Sequence, residues 1–151
     1  MSEKKKIYEF AKEFKRKYPG TVAWRIKKHC KVAEEFIDDD EEVIYAFPAQ
    51  RGGKQLDIVT TMVLTVTNKR LIMSQKRLLI GSFLKSISKD MFNDITIKKG
   101  LFWGKVIIDT IKEVIVVSNI SNKALDEIET VVTNNLLGNR GLRKEMGEED
   151  F

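Results

Sequence analysis

Two cations flank a glycine pair in Gln50-Arg51-Gly52-Gly53-Lys54-Gln55. Arg51 and Lys54 can donate charge-assisted hydrogen bonds, and glycine lets the backbone approach an anion closely. Lys76-Arg77 and Lys112 stand at two further predicted turns and could join them. A second group mixes aromatic and basic side chains: Trp24 with Lys27, Lys28 and Lys31, and Trp103 behind Phe102 between Gly100 and Gly104. Such mixtures suit a membrane interface or a partner surface.

Catalytic chemistry finds no footing. His29 and Cys30 are adjacent, so on a helix their side chains point about 100° apart and cannot pair as base and nucleophile. One His and one Cys cannot furnish a His/Cys zinc site within one subunit. No two carboxylates fall at matched positions for general acid–base work. Gly100-Leu101-Phe102-Trp103-Gly104-Lys105 has three residues between its glycines and Val106 after the lysine. A phosphate-binding P-loop needs four, then Ser or Thr. Asp38-Asp39-Asp40-Glu41-Glu42 lacks the ligand spacing and turn glycine of a calcium loop and reads as a solvated linker. The expectation is a non-enzyme without cofactor, metal or small-molecule substrate.

The elements that must position these residues follow from periodicity. Ile7, Phe10, Ala11, Phe14 and Tyr18 mark one face of a helix stopped by Pro19-Gly20. Thr21 suits the N-cap of a second helix carrying Val22, Ile26, His29, Cys30, Ala33, Phe36 and Ile37 along the same seam. This hairpin is too short to stand alone and is expected to pack on the body, its own or a neighbour's. About seven short strands follow. Val43, Tyr45 and Phe47 share a face, as do Ile58, Thr60, Met62, Leu64 and Val66. Leu71 and Met73 oppose Ile72, and Leu79 to Ile87 is a fourth run broken by Gly81. Ile95 and Ile97 point inward from the fifth, and Lys105 to Ile111 and Glu113 to Val117 are β-branched. A last helix, capped by Ser121 or Asn122, buries Leu125, Ile128, Val132 and Leu136 and ends at Gly138. The division is therefore a basic helical hairpin and acidic linker over 1–41, a mostly β body over 42–137 and a flexible tail over 138–151.

The net charge of +5 is uneven. Residues 1–37 carry eleven Lys/Arg against five Glu, a net of +6; residues 38–137 carry thirteen of each sign. The basic appendage could attract an anionic surface. No stretch approaches the roughly 20 apolar residues of a membrane span. The basic N-terminus lacks the apolar core of an export signal, and Cys30 is the sole cysteine. A cytoplasmic protein, with room for peripheral membrane attachment, is expected.

Leu64-Thr65-Val66-Thr67-Asn68-Lys69-Arg70-Leu71-Ile72 and Ile95-Thr96-Ile97-Lys98-Lys99-Gly100-Leu101-Phe102-Trp103-Gly104-Lys105-Val106, in this order and with a closing helix, resemble the YokE-like bacterial PH-domain family of the pleckstrin-homology superfold. The likeness spans roughly residues 42–137. It implies an α+β, mostly β fold: a seven-stranded antiparallel barrel or sandwich capped by a C-terminal helix, here preceded by the helical hairpin. In that fold Asn68 would turn in a left-handed conformation, Gly100 and Gly104 would bracket a hairpin at positive φ, and Phe102 would fold back onto the barrel. The loop with Arg51 and Lys54 would meet a phosphate headgroup, with Lys76, Arg77 and Lys112 beside it. Leu56-Asp57 stands where the phosphoinositide pattern has a basic-x-Arg pair, so specific inositol phosphate binding is not expected.

Three functions compete. The first is an adaptor or scaffold that binds a protein or itself through a sheet edge or a swapped hairpin. The second is peripheral binding to anionic lipid through the basic loops, Trp24 and the N-terminal helices. The third, nucleic-acid binding by the hairpin over 4–31, is disfavoured because Pro19-Gly20 leaves a bare two-helix unit and a PH-like core offers no base-reading surface.

Overall fold

The computed structural model describes residues 6–52 and 57–137. Lys54, Gly138 and the 138–151 tail lie outside them. The predicted alternation becomes seven antiparallel strands: β1 Val43–Arg51, β2 Thr61–Thr67, β3 Arg70–Lys76, β4 Ser82–Ser88, β5 Phe92–Lys98, β6 Trp103–Thr110 and β7 Val114–Ser121. Their order is β4-β3-β2-β1-β7-β6-β5. β1 pairs with β2 along its length but with β7 only at Gln50–Ser118 and Arg51–Val117. The sheet therefore turns a corner at the end of β1 and wraps around one core of Phe47, Met62, Leu64, Leu71, Phe92 and Ile108.

Helix α3, Leu125–Val132, closes one end with Leu125, Ile128 and Val132, and a π-helical turn at Thr133–Leu137 adds Leu136. Neither Ser121 nor Asn122 caps it through a side chain. Asn122 is drawn away by the β5–β6 turn, accepting from Gly100 N–H (3.1 Å) and donating to Gly100 C=O (2.8 Å). Gly100 and Gly104 are not at positive φ. They are required for space: a Cβ on Gly104 would lie 2.3 Å from Leu125, and one on Gly100 2.3 Å from the Trp103 carbonyl.

Helices α1, Lys6–Lys17, and α2, Ile26–Glu34, cover the outer face of the first half-sheet. Ile7, Ala11, Cys30, Ala33 and Ile37 pack against Ala46, Val63 and Ile72, so the seam is buried on the chain's own strands. Phe14 reaches through to the main core, 5.7 Å from Phe47 and 5.8 Å from Tyr45 between ring centroids. Thr21 does not cap α2, whose first turn follows Arg25 at φ 56°. Buried Thr21 instead accepts from Ser121 N–H at 2.9 Å, and Val22 N–H donates to Asn119 C=O at 3.0 Å. Phe36 leaves the seam for the surface, where the Arg70 guanidinium lies 4.6 Å over its ring.

Further expectations are corrected. A bulge between Val43 and Tyr45 puts Ile44 with Tyr45 on the core side and turns Val43 toward the helices. Ile58 and Thr60 precede β2 in a 3-10 turn whose Asp57 carboxylate accepts from Val59 N–H. Asn68 is not left-handed; its Oδ1 accepts from Glu42 N–H (2.8 Å) and its N–H donates to Glu42 C=O (3.0 Å). The acidic linker is not uniformly solvated. Glu41 is buried and takes both Arg70 Nη2 (2.7 Å) and Nε (2.8 Å), with the Thr67 hydroxyl at 2.6 Å. Burial alone would raise the Glu41 pKa, but the hydrogen bonds from Arg70, then Thr67, outweigh it and hold it at about 2.

Candidate functional site at the open end

Among the described residues, the end opposite α3 is formed by Gly52, the 57–60 turn and the 77–81 and 111–113 connections. Cross-links gather them: Gly52 N–H donates to Val116 C=O, Gln75 Nε2 to Val59 C=O (2.8 Å), and Lys85 pairs with Glu113. Between them lies a cavity of about 390 Å³ lined by Arg51, Met73, Phe83, Lys85, Glu113 and Ile115. Its floor is apolar, and the Arg51 guanidinium sits 4.0 Å over the Phe83 ring. Glu113 neutralises Lys85, so Arg51 is the cation of the cavity that has no carboxylate partner there. A single stacked guanidinium is far from the cluster of cations that grips a multiply charged headgroup.

The anticipated cations are thus only partly assembled. Arg51 lines the cavity; Lys76, Arg77 and Lys112 are exposed on the surrounding rim and outside its lining. Lys85, Phe83 and Glu113 escaped sequence reasoning because their roles depend on β4 curling toward the β6–β7 turn, 28 residues away in sequence. The larger omission is apolar. Residues 77–81 are not part of a strand but a hairpin loop closed by Arg77 N–H to Gly81 C=O, with Gly81 at φ 80°. Leu79 is 90% and Ile80 85% exposed, beside half-exposed Leu78. Ile58, Val59, Ile111 and Val114 continue this exposed apolar rim.

The structure divides the second predicted group, and α2 carries its lysines. The Lys76 N–H donates to His29 Nδ1 (2.8 Å), and the Ser74 hydroxyl to His29 C=O (2.8 Å), docking the first turns of α2 against the end of β3. Burial, reinforced by the Arg25 charge and opposed by the Trp24 backbone, lowers the His29 pKa to about 4. Trp24 precedes α2, half-buried under the Arg25 guanidinium at 5.1 Å. Lys27, Lys28 and Lys31 are exposed on α2. Cys30 is buried, which pushes its thiol pKa up, Glu34 adding to the effect.

At the closed end the expectation that Phe102 folds back is corrected, and Trp103, for which exposure and packing were both open, packs. Phe102 is 75% exposed with Leu101 beside it, whereas Trp103 is half-buried and its indole N–H donates to Gly20 C=O at 2.8 Å. Among the described residues no three His, Cys, Asp or Glu side chains cluster as for a metal, and no helix is long and apolar enough to cross a membrane.

The family model of the bacterial PH domain matches residues 37–134. No curated protein matches the chain.

Proposed function

The chain belongs to the bacterial PH domain family, and from that premise we propose a non-catalytic binding module whose open end attaches to an anionic membrane surface. Within the family we group it with the YokE-like members, on the Leu64–Ile72 and Ile95–Val106 motifs. We further treat 42–137 as the functional unit and 1–41 as an appendage to it. The observation that carries the membrane reading is the 77–81 loop: Leu79 and Ile80 project at 90% and 85% exposure just beyond Lys76-Arg77-Leu78. An exposed apolar patch of this kind marks an interaction surface. Apolar tips enter the headgroup region while cations behind them meet anionic lipid, at about 1 kcal/mol per cation. Arg51 and Lys112 on the same rim would add to that attachment, and Trp24, Lys27 and Lys28 are its further candidate contacts.

Vesicle flotation tests the reading, with anionic and neutral lipid at low and physiological salt. Binding to anionic vesicles alone, weakened by salt and lost in Leu79→Glu/Ile80→Glu, is the expected result. That variant should unfold at the same temperature as the parent, since both side chains are solvated in the free protein. No flotation under any condition would reassign the open end to a protein partner.

A further inference from the structure

The outer face of the second half-sheet has a charge pattern away from the main packing of α1 and α2, which lies on β1–β3. Ile95, Ile97, Val106 and Ile108 point into the core, so their neighbours point out. In register across β5 and β6, Asp94 faces Asp109, Thr96 faces Ile107 and Lys98 faces Lys105. Ile107 pairs onward with Val116 and Asp109 with Val114. Like charges directly opposite one another destabilise a sheet, and this hairpin contains two such pairs, of opposite sign. Asp94 is engaged locally, accepting from Ile95 N–H at 2.8 Å. Lys98, Lys105 and Asp109 make no ion pair among the described residues. Ile107 and Val116 are half-buried and belong to neither apolar cluster.

The face thus reads acid, apolar, base along the strands, with the acidic and basic pairs four residues, about 13 Å, apart. That pattern is complementary to itself when reversed. We propose that it receives a second copy of this chain, stacked face to face about a two-fold axis that crosses the strands at Thr96 and Ile107. Each Asp94/Asp109 pair then meets the partner's Lys98/Lys105 pair, and Ile107 and Val116 meet their counterparts at the centre. The interface is isologous, so it closes as a dimer and does not propagate. Three strands present on the order of 350 Å² per copy, below the roughly 800 Å² of a standard stable interface. The dimer is accordingly weak and salt-sensitive. Its two open ends point in opposite directions. The inference is independent of what the open end binds.

Sedimentation of the full chain over a concentration series, at low and high salt, tests it. A reversible dimer that weakens with salt is expected. Lys98→Glu/Lys105→Glu makes the face wholly acidic, and Asp94→Lys/Asp109→Lys makes it wholly basic. Each should weaken self-association at least ~100-fold, while an equimolar mixture of the two should associate again. Asp109→Lys alone serves as the basic member if replacement of Asp94 disturbs folding, which circular dichroism reports. A chain that stays monomeric at every concentration in low salt overturns the proposal. So does a dimer indifferent to both charge reversals, and one lost only in Leu79→Glu would place the contact at the open end instead.

Discussion

The two halves of the curled sheet present opposite solutions to the same exposure. Outside β1–β3 the outward residues are Ala46, Val63 and Ile72, all fully buried beneath α1 and α2. Outside β5–β7 they are Thr96, Ile107 and the two like-charged pairs, left to solvent or to a neighbour. The first half is also latched by the buried Glu41–Arg70 pair, which ties the helix–strand connection to β3. The comparison separates two roles. The covered half supplies stability, and the bare half and the loop tips are available for contact.

The comparison breaks most sharply at Arg70. Arg70→Met leaves the Glu41 carboxylate buried without its cation and should cost roughly 3–5 kcal/mol in denaturant unfolding; a loss below about 1 kcal/mol would mean that the latch is solvated. Ile72→Ala, in the same layer, should cost roughly 2–5 kcal/mol. Acid titration gives the next effect. His29 is harder to protonate folded, at about 4, than at its ordinary 6.5, so its contribution is complete above pH 6.5 and lost as pH falls toward 4. That amounts to at most about 3 kcal/mol. Glu41, held at about 2 against 4.5, adds a second loss only below pH 4.5. In His29→Gln the decline between pH 6.5 and 4.5 should disappear, which unfolding at stepped pH would reveal. Cys30, under the same helices, should resist thiol labelling in the folded protein and react at once on unfolding. The smallest effect belongs to the bare face: Ile107→Ala should cost the isolated chain under about 1 kcal/mol, because that side chain is already half solvated.

Much of this was legible in the alternation itself. Met62, Leu64 and Val66, or Leu71 and Met73 against Ile72, sort to the two faces as their period-2 spacing demands. The same rule failed at Leu79 and Ile80, since an apolar run at a hairpin tip looks like strand until Arg77 and Gly81 close the turn beneath it. It failed at Val43 because a one-residue bulge exchanges faces without any mark in composition. Glu41 looked like one more linker carboxylate; its partner Arg70 lies 29 residues away and only the fold brings them together. Of the candidate site, the rim cations were visible as turn residues. The Phe83 platform under Arg51 was not, because it required β4 to meet the end of β1.

The stitching of Thr21 to Ser121 and of Val22 to Asn119 bears on how the chain is made. During synthesis the helix pair emerges first, yet these anchors come from the last strand, about a hundred residues later. Contacts this remote in sequence form late, so the nascent helices must wait for β7 before their connection is locked. Hydrogen exchange on ribosome-arrested chains would show this as protection of 19–25 that appears only after residue 121 has cleared the exit tunnel.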